Sequence, residues 1–251
     1  MTPTGASAID WSRIGAVLFD LDGVLTDTAS LHSEAWKTTF DAFLRQRADA
    51  TGEPFREFDI QDDYHLYVDG RPRYDGVRDF LASRAIELPE GPEEAAPGFG
   101  SVRALGNRKD AEVNQLFEER GIEPFPGSVA FLHQVRERGL KTAVVTSSAN
   151  CDSVLRAAKL DGLFDAKVDG NVAAQRSLPG KPKPDTFLAA ASDLDVEPAR
   201  AVVVEDAISG VQAGRAGNFG LVIGVARKGN AADLSQNGAG LVVADLGELV
   251  D

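Results

Sequence analysis

Five short runs rich in Val, Ile and Leu constrain this chain most: Ala16–Phe19, Thr142–Val145, Ala201–Val204, Leu221–Val225 and Leu241–Ala244. None alternates apolar with polar residues. Each therefore reads as a strand buried on both faces, the condition of a parallel sheet covered by helices. Helical spacing fills most of the intervals. In GSVAFLHQVRERG (Gly127–Gly139), Val129, Leu132 and Val135 recur on one face before a stopping glycine. PDTFLAAASDLDV (Pro184–Val196) and AISGVQAGRAG (Ala207–Gly217) behave alike. Such strand–helix alternation predicts a doubly wound, Rossmann-like α/β domain.

The first interval departs from that rule. More than a hundred residues separate Phe19 from Thr142, and none of them forms a convincing strand. ASLHSEAWKTTFDAFLRQRA, DGVRDFLASRAI and RKDAEVNQLFEERG read as amphipathic helices, and LPEGPEEAAPGFGS (Leu88–Ser101) as a loop. A length of 251 residues accommodates a core with a smaller domain inserted in it. The expected division is an α/β core of residues 1–28 and 122–251 with a helical cap of residues 29–121. The chain would cross between them near Thr26–Ser30 and Gly121–Gly127.

Ligands of an open parallel sheet collect outside the carboxyl ends of its strands. There the first run ends in FDLDGVLTD, the second in VVTSSAN and the third in VVVEDAISG, with GKPKPD between the last two. Asp20, Asp22, Glu205 and Asp206, the hydroxyls of Thr146, Ser147 and Ser148, and Lys181 are thus expected on one solvent-facing rim. Four clustered acids repel one another unless a hard cation sits among them, and oxygen ligands suit Mg²⁺. Hydroxyls, a lysine and free backbone N–H groups at the start of the helix after Val145 suit a phosphate. A metal, a phosphate cradle and a spare carboxylate make a phosphoryl-transfer site, because a carboxylate can attack phosphorus and form an aspartyl-phosphate.

Composition narrows the partners. A formal charge of −13 opposes nucleic-acid binding on average. Cys151 is the only cysteine, so no intrachain disulfide forms, and His32, His65 and His133 are too scattered for a zinc cluster. The segment MTPTGASAIDWSR lacks the apolar core of a signal peptide, and no run is long enough to span a bilayer. A cytoplasmic, monomeric protein with no membrane contact is expected.

DLDGVLTD, TSSAN, KPKPD and ED, in this order, resemble the four motifs of the haloacid dehalogenase-like phosphotransferases, and the likeness covers nearly the whole chain. Within that family DLDGVLTDTASLHSEAWK is most similar to the β-phosphoglucomutase subgroup, with Thr28, His32 and Trp36 at its offsets. The resemblance implies Asp20 as nucleophile and Asp22 as general acid and base. It also implies Mg²⁺ on Asp20, Asp206 and the Asp22 carbonyl with Glu205 beside them, and a transferring phosphoryl held by Thr146 and Lys181. His32 would orient Asp22 or couple it to cap closure. The distal phosphate of a small phosphorylated sugar would fall to Arg73 and Lys109 of the cap and to Ser148 and Asn150 of the core, with Gly70 and Ser147 also among the substrate-binding residues.

Two departures bear on that second grip. Asp69 stands before Gly70 where the mutases carry a lysine, and Ala149 replaces a lysine in the hydroxyl motif, with Arg71 a partial substitute. The implied reaction is isomerisation of β-glucose 1-phosphate and glucose 6-phosphate. The alternative is a phosphatase on a small sugar phosphate, and a non-catalytic binder is disfavoured because every reacting group is present. Taken singly the motifs are mundane: TSS is a helix cap, KPKPD a turn, ED an exposed pair, His32 and Trp36 a packed pair four residues apart. Their order and strand context carry the inference.

Overall fold

The computed structural model describes residues 9–227 and 229–251. Residues 1–8, part of the segment read against a signal peptide, lie outside them. The chain runs through β1 (Ala16–Phe19), α1 (Ala29–Thr51), α2 (Arg73–Ser83), α3 (Val102–Arg120) and α4 (Pro126–Glu137). It continues through β2 (Lys141–Val145), α5 (Cys151–Ala157), β3 (Ala166–Val168), α6 (Gly170–Gln175) and α7 (Asp185–Asp193). It ends with β4 (Ala201–Glu205), α8 (Ile208–Ala216), β5 (Leu221–Val225), α9 (Ala231–Asn237) and β6 (Leu241–Val243). Two compact units result, Met1–Asp27 with Ile122–Asp251, and Thr28–Gly121.

The first unit holds a six-stranded sheet of order β3-β2-β1-β4-β5-β6, parallel throughout. Strand order reverses beside β1, the switch point at which doubly wound sheets open a crevice. Both faces of β1 are covered, which explains its unbroken apolar sequence. Ala16 and Leu18 join Val145, Phe187, Val203 and Val211 in one core cluster. Phe19 points the other way, 6.0 Å from the ring of Phe131 on α4 and 6.4 Å from Phe164. Strand β3 escaped sequence reading because it is three residues long, half-buried and carries Lys167. Helix α5 begins only at Cys151, so Thr146–Asn150 is a loop and not the first turn of a helix directly after β2.

The chain leaves this unit after Asp27 and returns at Ile122, and the two segments are tied together. Thr26 and Pro124 form an antiparallel bridge, the Asp27 amide donates to the Glu123 carbonyl at 2.9 Å, and the Phe125 amide donates to Leu25 at 2.9 Å.

The second unit is helical. Trp36, Phe40, Phe43 and Leu44 recur along one face of α1 and pack with Phe58, Val77, Phe80 and Leu105. Phe40 centres an aromatic cluster, 4.1 Å from the Phe80 ring and 5.1 Å from Phe58, where each ring pair adds to the area it buries. Gly52, at φ +75°, ends α1 in the left-handed conformation that a side chain would strain. The Ser101 hydroxyl accepts from the Ala104 amide at 3.1 Å and starts α3. A single π-helical turn, Tyr64–Val68, precedes Asp69 and Gly70. Among the described residues no helix is long and apolar enough to cross a membrane.

Candidate active site

Every acid expected at the rim stands at the carboxyl end of β1 or β4. Asp20 continues the ladder of β1, its amide donating to Val204 at 2.9 Å, and Leu21 is fully buried between the two acids as extended alternation requires. Asp20 does not face solvent: it is 6% exposed. Burial is tolerated because the ammonium of Lys181 meets it. Lys181 Nζ donates to Asp20 Oδ1 at 2.5 Å, Glu205 Oε1 at 2.6 Å and the Val145 carbonyl at 3.1 Å. Those three acceptors match its three protons.

Glu205 is fixed on both oxygens. Oε2 accepts from the amides of Asp206 and Ala207 at 3.0 and 3.1 Å while Oε1 faces Lys181. A side chain at Gly210 would sit 1.8 Å from Oε1, so this position must be glycine. Gly23 is constrained doubly: its φ is +89°, and a Cβ would fall 2.2 Å from Asp206 Oδ2. Asn230 Nδ2 donates to the Asp206 carbonyl at 3.2 Å. The Thr146 hydroxyl donates to Asp22 Oδ2 at 3.4 Å and accepts from the Ser148 amide at 3.0 Å. The Ser148 hydroxyl accepts from the Asn150 amide at 3.1 Å. Of the N–H groups that the sequence suggested for a phosphate here, the amides of Ser148 and Asn150 serve the loop itself.

One lysine against four carboxylates leaves the site strongly negative. Burial, opposed by Lys181 but reinforced by Glu205, Asp22 and Asp206, holds the Asp20 carboxyl well above the ordinary aspartate range. Burial also works against the charge of Lys181, but Asp20 and Glu205 outweigh it and hold the ammonium protonated. Carboxylate oxygens of Asp20, Glu205 and Asp206 lie within 4.8 Å of one another, a hard donor set with excess negative charge that could hold a metal ion. The Asp22 carboxylate is outside this group. Burial pushes the Cys151 thiol far up, which removes it as a nucleophile.

The second unit brings together three of the expected residues. Lys109 Nζ lies 2.6 Å from His32 Nδ1 and 5.2 Å from the Trp36 ring. An ammonium only donates, so Nδ1 accepts. Thr28 caps α1 and accepts from the His32 amide through its carbonyl at 2.9 Å. The remaining cations are engaged by acids that sequence reasoning passed over. Arg73 donates to Asp110 at 2.7 Å and Asn107 at 3.2 Å. Arg71 pairs with Asp79 and donates to the Leu66 carbonyl at 3.0 Å. Asp69 is buried beside His65, and Gly70 follows at φ +69°.

Comparison with known proteins agrees with this geometry. The sequence matches the haloacid dehalogenase-like hydrolase family over residues 14–218. It is 51% identical over 241 residues to the β-phosphoglucomutase of Mycobacterium bovis, spanning 95% of this chain and 92% of the relative. It is 30% identical over 212 residues to the phosphorylated carbohydrates phosphatase of Thermotoga maritima, covering 84% of each. The solved β-phosphoglucomutase of Clostridium difficile superimposes with a TM-score of 0.73 at 26% identity, over 94% of this chain and 93% of that one. A buried aspartate directly after β1 at the switch point, a buried lysine bridging two acids and a helical insertion after β1 accord with these matches: the chain belongs to the haloacid dehalogenase-like hydrolase family and, within it, to the β-phosphoglucomutase-like group.

Proposed function

We propose that this protein isomerises β-glucose 1-phosphate and glucose 6-phosphate by passing a phosphoryl group through Asp20 with the help of Mg²⁺. The observation that carries this reading is the Lys181 bridge between Asp20 and Glu205. It leaves Asp20 with one oxygen engaged by an ammonium and the other as the attacking atom, and it supplies positive charge beside the phosphoryl oxygens. Asp20 and Asp206 would hold the Mg²⁺, with Glu205 within reach. The ion, when bound, neutralises developing charge on phosphorus-bound oxygens. Asp20 forms the P–O bond as the sugar oxygen leaves, and Asp22 gives that oxygen its proton. In the second half Asp22 takes a proton from the other sugar hydroxyl, which attacks the aspartyl-phosphate and frees Asp20. Thr146, which donates to Asp22, keeps its carboxylate aimed. Thr28, His32, Trp36, Gly70, Arg73 and Lys109, with Ser147, Ser148 and Asn150, are assigned to the sugar phosphate.

A specific observation favours hydrolysis as the second reading. Arg71 and Arg73 already face Asp79 and Asp110, and Asp69 stands where a cation would help. A weak distal grip would let water compete with sugar for the phosphoenzyme. One assay tests both: β-glucose 1-phosphate with a bisphosphate primer, following glucose 6-phosphate and free phosphate together. Glucose 6-phosphate in excess supports the mutase, and phosphate alone overturns it in favour of the phosphatase.

A further inference from the structure

We infer that Arg227, on the loop between β5 and α9, is a positioning residue that fixes the turn after Asp22 and with it the geometry of the acid cluster. The inference rests on the metal-binding reading above. Arg227 Nε donates to the Gly23 carbonyl at 3.3 Å, and Nη2 donates to the Ser128 hydroxyl at 2.9 Å. That hydroxyl in turn donates to the Val24 carbonyl at 2.6 Å, so one connected network holds two consecutive carbonyls of the turn. Nη1 pairs with Asp245, and the guanidinium lies 3.8 Å from the centroid of Phe125. Ion pair and ring fix the fork in one orientation, and a planar fork so held directs its remaining donor.

The turn cannot shift without moving the cluster, because the α-carbon of Gly23 lies against the Asp206 carboxylate. The same loop reaches the second acid segment, where Asn230 donates to the Asp206 carbonyl at 3.2 Å. The β5–α9 loop therefore grips backbone on both sides of the cluster while supplying no carboxylate to it. Partners standing behind metal ligands in this way typically set affinity or activity by about 10- to 100-fold.

The test is Mn²⁺ binding to metal-free protein, read by electron paramagnetic resonance, with thermal stability measured beside it. Arg227→Met keeps the stem on Phe125 and removes every donor; it should weaken Mn²⁺ binding about 10-fold or more. Arg227→Lys should recover part of that loss. Asp245→Asn removes the ion pair, which loosens the fork, but leaves the ring contact and the link to Gly23; it should lower the melting temperature and weaken Mn²⁺ binding clearly less than Arg227→Met does. Wild-type affinity in Arg227→Met overturns the inference, as does an equal affinity loss in Asp245→Asn, which would mean that affinity merely follows stability. If Arg227→Met does not fold, Asn230→Ala carries the test. Among the described residues Asn230 Oδ1 is buried without a partner, so alanine is tolerable there, and unchanged Mn²⁺ affinity in it would overturn the inference. A wild type that takes no Mn²⁺ overturns the reading of the acid cluster itself, and this inference with it.

Discussion

Replacing Lys181 by methionine should unfold the metal-free protein far more readily than its single lost charge suggests. Lys181 is 3% exposed, and its ammonium is shared by Asp20 and Glu205. Methionine keeps a flexible stem beside the Phe187 ring, which lies 4.9 Å from Nζ, so the cavity contribution is small. What remains is two buried carboxylates facing each other without a cation. Removing one partner of a buried ion pair costs about 3–5 kcal/mol. At about 2–4 °C per kcal/mol for chains of 150–250 residues, the melting temperature should fall by roughly 6–20 °C. The pH dependence has a definite sign. Burial already holds the Asp20 carboxyl above its unfolded value of about 4, and without Lys181 nothing opposes that rise, so the folded state binds more protons and stability falls as pH rises through and above that value. Calorimetry of metal-free K181M against wild type from pH 4 to 7.5 should show a deficit that widens with pH and narrows when Mg²⁺ is added. A variant as stable as wild type at pH 7 would refute the reasoning, because it would mean that the acids need no cation.

Asp20→Asn should abolish turnover and phosphoenzyme formation while the protein stays folded, since the amide oxygen can still accept from Lys181; retained activity excludes the covalent route. Chelation should abolish activity, Mg²⁺ restore it and Ca²⁺ inhibit, because Ca²⁺ favours looser coordination; full activity in metal-free buffer counts against the cluster. Arg73→Ala should cut isomerisation about 10- to 100-fold but leave acetyl phosphate hydrolysis nearly unchanged, and an equal fall in both would make Arg73 structural through Asp110. Below about pH 4 stability should decline as Glu90, depressed by its bond to Arg78, and Asp245, where Arg227 outweighs burial, take up protons. Both carboxyls are held below their unfolded values, so their contribution is present above those values and lost on acidification. A urea midpoint that is flat from pH 5 to 3 would contradict this.

The core was legible because its strands are buried on both faces and announce themselves by composition alone. Ala16–Phe19 is read identically from sequence and structure. Strand β3 was not, since an edge strand of three residues, only Val168 of them fully buried, carries no such signal. The acids were legible as a set because each follows a strand, yet the burial of Asp20 was not. That depends on Lys181 arriving from a loop 161 residues away, and no local pattern records a through-space ion pair. The same limit hid the partners of the cap arginines: Asp110 lies 37 residues from Arg73 and looks in sequence like any helical surface acid. Arg227 went unread because its acceptors are one backbone carbonyl, one hydroxyl and the distant Asp245, which leave little imprint on spacing.

The antiparallel tie where the chain departs at Asp27 and comes back at Glu123 has a further meaning. The two ends of the intervening 94-residue unit, Thr28–Gly121, are anchored on a pair of segments already hydrogen-bonded to each other. To the sheet, that whole unit is topologically a hairpin loop, and lengthening a loop costs only about 0.6 kcal/mol per doubling. A few glycines and serines could bridge the same gap. The helical unit of such a protein can thus be exchanged, shortened or grafted from a relative as a cassette, with the carboxylates at the ends of β1 and β4 left in place.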